Sequence, residues 1–282
     1  MKTAIYPFSA DPIHNGHIYN IGKILESGLF DQVYVAIGKN YEKNRKYLFS
    51  DAEKVEITKK ALKNFGGKVK VEAFNGLLVH YANKKHTNII IRGSRNNTDF
   101  EEEQTMAEFN KSYGLQTYII PAPKDVFNIS STTIKAIVGN GGLVHEYVPV
   151  NIKQALEEKL LGITLIGVVG NTGSGKTSLC SALRKASQEL SVIDVDKLIH
   201  EIYQKNKLVQ EDLKKVFGNK VFTKNKLDKK KLGNLIFNDS LLRQKLANIL
   251  EIPFKVSLEE KLKDLKGLVL LDCAYLVEYD LL

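Results

Sequence analysis

Several absences narrow this sequence before any motif is read. Across 282 residues no apolar run approaches the ~20 residues that a membrane-spanning helix needs. The longest apolar runs, at 162–170 and 267–277, read as buried strands. Cysteine is scarce: Cys180 and Cys273 are the only two, far apart and without the spacing of a metal site or a pair. They suit a reducing compartment, where they serve as small core residues. The amino-terminal M-K-T-A-I-Y-P-F runs directly into a strand without a secretory pattern, so a cytoplasmic location is expected. There is no internal repeat, no low-complexity tract and no Gly/Ser-rich or Pro-rich linker.

Charge of one sign is not concentrated either. The net charge of +9 divides almost evenly between the two halves, and the lysines are scattered. Runs such as 229–231 lie on polar, helix-like stretches with no aromatic platform beside them, which reads as a solvated face. Nucleic acid and membrane are therefore not expected as partners, and anionic small molecules gain only weak support from charge.

What is present is an ordinary globular composition, 43% apolar and 26% charged, in a chain longer than one typical domain. Strand-like runs at 3–6, 32–37, 68–73, 88–91 and 115–120 alternate with helical patterns at 16–27, 50–65, 98–113 and 130–138. Two helix starts carry capping boxes, Ser50 with Glu53 and Thr98 with Glu101. This alternation predicts a parallel sheet with helices on both faces. After an amphipathic helix at 149–161 the pattern restarts with an apolar strand, a glycine loop and another helix. The boundary is expected near 160–162, giving domains 1–160 and 161–282 that pack closely or share that helix.

The first loop, Y-P-F-S-A-D-P-I-H-N-G-H at 6–17, lies between strand one and a helix, where parallel sheets bind ligands and free helix amides attract phosphate. His14-Asn15-Gly16-His17 is an H-x-G-H motif, whose imidazoles can donate to a phosphate. For His14 a purely structural role remains equally open. Downstream stand I-R-G-S-R at 91–95, D-F-E-E-E at 99–103 and N-I-S-S-T at 128–132. Together these motifs resemble bacterial phosphopantetheine adenylyltransferase of the H-x-G-H nucleotidyltransferase superfamily, over about residues 2–158.

The resemblance implies a Rossmann-like fold and transfer of AMP from ATP to the 4′-phosphate of phosphopantetheine, with pyrophosphate released. By the same resemblance His17 stabilises the transition state, and Ser9, Arg92 and a basic residue at Arg45 or Lys46 hold the attacking phosphate. Ser9, Ala10, His14, His17, Gly93, Ser94, Arg95, Glu103 and the segment Val126, Phe127, Asn128, Ile129, Ser130, Ser131, Thr132 bind ATP. Leu77, Leu78, Met106 and Asn110 line the pantetheine arm. The chain departs from the family where Phe8 replaces a glycine and Ala10 a phenylalanine. A bulky Phe8 is expected to reshape the loop.

In the second half, G-N-T-G-S-G-K-T at 170–177 satisfies G-x-x-x-x-G-K-[ST] after a buried strand. Its backbone amides form an anion nest, Lys176 adds mobile charge and the Thr177 hydroxyl can ligate Mg²⁺. The ATP-binding set is Gly170, Gly173, Ser174, Gly175, Lys176, Thr177 and Ser178. With V-I-D-V-D at 192–196 and L-L-D at 270–272, this resembles dephospho-coenzyme A kinase, a P-loop α/β fold. That implies Asp196 as general base at the acceptor 3′-hydroxyl, with Asp272 helping to place Mg²⁺. A helix cap at a strand end is the alternative for Asp196.

The resemblance covers somewhat over half of such a kinase. The expectation is either a piece of a longer protein or a module that binds nucleotide without efficient turnover. The order of the two modules predicts a bifunctional coenzyme A synthase acting on phosphopantetheine, dephospho-coenzyme A and ATP. A homo-oligomer is implied by resemblance to adenylyltransferases that assemble. Two alternatives stay open: a nicotinate or nicotinamide mononucleotide adenylyltransferase in the first half, and a nucleotide-responsive regulatory module in the second.

Overall fold

The computed structural model describes residues 1–38, 47–121, 130–171, 173–187, 189–223, 226–237 and 239–273. The chain forms two compact units, residues 1–137 with 144–156, and residues 138–143 with 157–282.

Unit one alternates strand and helix: β1 (Thr3–Phe8), α1 (Asn15–Glu26), β2 (Gln32–Ile37), α2 (Asp51–Ala61), β3 (Val69–Ala73), α3 (Leu78–Lys84), β4 (Ile89–Ser94), α4 (Asn97–Ser112), β5 (Gln116–Pro121), α5 (Ser131–Gly139) and the start of α6 (Val150–Leu161). The strands form one parallel sheet in the order β3-β2-β1-β4-β5. The central strand β1 is an almost unbroken buried run, as a strand covered on both faces must be. Ile5, Ala36 and Ile90 from adjacent strands pack with Val79, Tyr81 and Ala82 of α3. Between β1 and β4 the strand order reverses, which opens a crevice at their carboxyl ends.

The Ser50–Glu53 capping box forms, with Ser50 Oγ accepting from the Glu53 amide at 3.3 Å and Glu53 accepting from the Ser50 amide at 2.8 Å. The second expected box does not. Asn96 is the cap, its Oδ1 accepting from the Asp99 amide at 2.8 Å, so Thr98 lies inside the helix. Both pairs satisfy the same geometric need, and the asparagine two residues earlier meets it first. Helix α3 had no clear sequence signal because its seven residues are too short for a periodicity to register.

Unit two has a parallel sheet in the order β6-β10-β7, from β6 (Ile163–Val168), β7 (Leu190–Asp194) and β10 (Gly267–Asp272). Helix α7 (Lys176–Ala186) follows the glycine loop. Next come α8 (Val195–Lys205), α9 (Lys207–Phe217), a two-stranded ribbon of β8 (Phe222–Thr223) and β9 (Lys226–Leu227), α10 (Lys229–Ile236) and α11 (Ser240–Leu262). The core joins Ile163, Leu165, Val269 and Leu271 of the sheet to Leu198, Ile202, Leu213, Leu246, Leu250, Phe254 and Leu258. On α11 the buried positions 246, 250, 254, 258 and 262 recur every four residues, one stripe that runs straight past Pro253.

Candidate active sites

In unit one the carboxyl end of β1 delivers Phe8 and Ser9, and the loop behind it is anchored by Asp11. This buried carboxylate accepts from the Leu48 amide at 3.1 Å and the Phe49 amide at 3.0 Å, and pairs with Lys135 of α5. Ala10, also buried, sits at φ 49°, a left-handed turn at the place where a strand must become a helix. His14 caps α1, its Nδ1 accepting from the Gly16 amide at 3.2 Å. It is thus a structural cap whose ring also lies 4.0 Å, centroid to centroid, from that of His17.

His17, in the first turn of α1, is held on several sides. Its Nδ1 is 3.2 Å from the Tyr6 hydroxyl, which accepts from Asn20 Nδ2 at 3.1 Å. The Phe8 ring packs 4.3 Å from its centroid. Phe8 thus packs directly against the histidine. Burial, then the neighbouring Arg95 guanidinium, pushes the His14 pKa down to about 4. Burial first, then His14, Arg95 and Arg92, holds His17 well below the ordinary histidine range. Both imidazoles are neutral near pH 7.

The R-G-S motif lies within β4 itself, not after it. Arg92 makes a two-point ion pair with Glu103 of α4 at 2.5 and 2.6 Å, and donates to the carbonyl of Pro7 on β1. Gly93 is required by close approach: a Cβ there would stand 2.3 Å from Asn20 Nδ2. Ser94 is buried, and Arg95 is exposed and paired with Asp99 at 2.6 Å. Ser131 Oγ donates to the Pro12 carbonyl at 2.9 Å, which brings the start of α5 against the first loop. Ser130 stands at that same helix start, its hydroxyl accepting from the Thr133 amide at 3.0 Å, while Thr132 is exposed.

Three motifs far apart in sequence thus meet at the carboxyl ends of β1 and β4. Leu77 and Met106 are exposed, and Leu78 packs partly buried against the sheet core. Asn110 is buried, its amide donating to the Thr117 hydroxyl at 3.2 Å, so its side chain is already engaged. Arg45, Lys46, Val126, Phe127, Asn128 and Ile129 lie outside the described residues.

Sequence reasoning passed over Tyr6, Asn20, Asp11 and Lys135. A signal existed for Asn20, which lies three residues after His17 and so on the same face of α1. The Asp11–Lys135 pair, separated by more than a hundred residues, left none.

In unit two the glycine loop passes into α7 with Gly175 at φ 88°, a left-handed cap that suits glycine. Lys176 Nζ donates to the carbonyls of Gly170 at 2.6 Å and Asn171 at 2.9 Å, folding over the loop's own backbone. Gly173, Ser174, Gly175, Thr177 and Ser178 are exposed. The Thr177 hydroxyl donates to Asp272 Oδ2 at 2.7 Å. Asp272 ends β10 in register with Asp194, the last residue of β7.

Asp194, not Asp196, is the helix cap, its Oδ1 accepting from the Lys197 amide at 2.8 Å. That leaves the Asp196 carboxyl free of capping duty. Loss of surrounding solvent, then the Asp194 and Asp272 carboxylates, raises its pKa, although the side chain still meets solvent.

Two family models match the chain: cytidylyltransferase-like over residues 5–137, and dephospho-CoA kinase over residues 164–282. A phosphopantetheine adenylyltransferase of Pseudarthrobacter chlorophenolicus is 40% identical over 157 residues, which are 55% of this chain and 92% of that protein. One from Syntrophomonas wolfei is 40% identical over 163 residues, 57% of this chain and 98% of that protein. These relatives do not favour the nicotinate or nicotinamide mononucleotide alternative for the first half. The chain belongs to the phosphopantetheine adenylyltransferase family, and joined to that region is a second that matches dephospho-CoA kinase.

Proposed function

We propose that the chain catalyses two successive steps of coenzyme A synthesis. Unit one transfers AMP from ATP to the 4′-phosphate of phosphopantetheine, and unit two phosphorylates the 3′-hydroxyl of the dephospho-coenzyme A so formed. The observation that carries the first step is the convergence of His17, Arg92 and the start of α5 on one crevice. The attacking phosphate oxygen forms a bond to the α-phosphorus of ATP, the bond to the bridging oxygen breaks, and pyrophosphate leaves. No protein group need act as nucleophile. The protein aligns two anions and stabilises charge at the α-phosphate. Ser9 and Arg92 are assigned to the attacking phosphate and His17 to the transition state. Gly93, Ser94, Arg95, Glu103 and residues 130–132 are assigned to ATP, and Leu77, Leu78, Met106 and Asn110 to the pantetheine arm.

In unit two the glycine loop and Lys176 are assigned to ATP and Asp196 to the acceptor hydroxyl. The hard oxygen donors Thr177 and Asp272, 2.7 Å apart, fit Mg²⁺, which would neutralise charge between the phosphates. The raised Asp196 pKa supports a proton-accepting role.

The functional domains are assigned to residues 1–160 and 161–282. The partners are these small molecules, with neither nucleic acid nor membrane among them; among the described residues no helix is long and apolar enough to cross a membrane. Two buried free cysteines support a cytoplasmic setting. Self-association of unit one would cover the exposed Phe109, Tyr113 and Tyr118.

The test supplies ATP with either phosphopantetheine or nicotinate mononucleotide and measures pyrophosphate and the adenylylated product. Transfer to phosphopantetheine is expected; transfer to nicotinate mononucleotide alone would overturn the reading. Dephospho-coenzyme A with ATP tests unit two, and absence of Lys176-dependent phosphorylation would reduce that unit to nucleotide binding.

A further inference from the structure

We propose that Tyr6 is a positioning residue that, with Asn20 behind it, fixes His17 in the tautomer bearing its proton on Nε2. The proposal rests on the reading of the first crevice as an adenylyl-transfer site and names a further residue for that reaction.

The argument is a count of donors and acceptors. A phenol has one proton to give and lone pairs to receive. Asn20 Nδ2 donates to the Tyr6 oxygen at 3.1 Å, so the hydroxyl proton goes to its other neighbour, His17 Nδ1, at 3.2 Å. An Nδ1 that accepts carries no proton, and a neutral imidazole then holds its single proton on Nε2. Tyr6 is 2% exposed and Asn20 5%, so water does not compete for the hydroxyl.

The ring is also kept from turning over. The Phe8 and His14 ring centroids lie 4.3 and 4.0 Å from its own, and a flip would put the Cδ2 carbon in place of Nδ1 and break the contact with Tyr6. Burial among Arg92, Arg95 and His14 keeps the ring uncharged, which makes the choice of tautomer decisive.

The consequence is chemical. With Nε2–H, the ring offers the reacting phosphate a donor, which strengthens as charge grows on the α-phosphate oxygens. With the proton on Nδ1, the same position would present a lone pair to an anion. The donor keeps its proton throughout, so no transfer through Tyr6 is required.

Tyr6→Phe removes the hydroxyl while keeping the ring that packs against Phe8 at 5.6 Å. In the 282-residue wild-type chain, long-range ¹⁵N–¹H spectra of the imidazoles should show His17 as a single Nε2–H tautomer, its signals identified by their loss in His17→Gln. In Tyr6→Phe the His17 signals should report a mixture of tautomers. The kcat for AMP transfer should fall about 10–100-fold, with KM for ATP and phosphopantetheine changed little, as for a lost orienting partner. Unchanged KM for both substrates of AMP transfer would show that the first unit of the variant is folded. Asn20→Ala, which frees the hydroxyl to turn, should move both readouts the same way by a smaller factor.

A wild-type Nδ1–H tautomer would overturn the proposal, and so would an unchanged tautomer and kcat in Tyr6→Phe. A wild-type chain that shows the Nε2–H form yet transfers no AMP would instead sink the functional reading and leave the tautomer assignment standing.

Discussion

The two loops proposed to hold phosphate follow matching strands yet use opposite materials. The first is built from side chains, many buried: Asp11, His14 and Asn20 are at most 5% exposed, and each spends a polar atom on holding the loop. Its charges are already paired, Arg92 with Glu103, Arg95 with Asp99 and Lys135 with Asp11. The second is mostly exposed and glycine-rich, its lysine bonded to the loop's own carbonyls. The difference matches two tasks. On the proposed function, charge that appears only in a transition state calls for a rigid, desolvated donor, whereas holding a triphosphate calls for many backbone amides.

The contrast breaks most visibly at its two central residues. His17→Ala should lower AMP transfer about 10²–10³-fold, mostly in kcat, the scale of a lost transition-state donor. A loss confined to KM would mean the ring binds ground-state phosphate instead. Lys176→Ala should abolish phosphorylation of dephospho-coenzyme A while AMP transfer persists. Loss of both activities in one assay series would mean that the two loops do not act separately.

Burial of the first loop also makes stability depend on pH. An unfolded histidine takes up its proton near 6.5, whereas His14 holds off until about 4. Between those values the unfolded chain binds more protons, so stability falls as pH drops from 6.5 toward 4. At about 1.4 kcal/mol per unit, the loss is of order 3 kcal/mol. His14→Asn, which keeps a capping oxygen, should make denaturant midpoints less dependent on pH across that window, with His17 supplying part of what remains. Equal slopes in the two proteins would refute the assignment.

The smallest effect concerns the paired charges. Glu103→Gln releases Arg92 for the acceptor phosphate and should lower KM for phosphopantetheine by roughly fivefold or less, about 1 kcal/mol for a partly exposed pair. An increased KM would show that Glu103 orients Arg92 for binding.

Much of this was legible in the residues alone. The β1 loop, the glycine loop and strand–helix alternation announce themselves because they obey short-range rules: turn chemistry, hydrophobic period and helix-terminus electrostatics act over a few neighbouring residues. The Ser50 cap was readable for the same reason; the competition between Asn96 and Thr98 for the next helix start was not, since both satisfy the pattern and only backbone geometry chooses. Tertiary structure alone decided that Phe8 and His14 flank His17, that Arg92 is held by Glu103 and the Pro7 carbonyl, and that Asp194 caps so that Asp196 need not. These pairings depend on which strand ends lie side by side. That order is set by burial of whole strands and helices against one another, and no local stretch of sequence carries it.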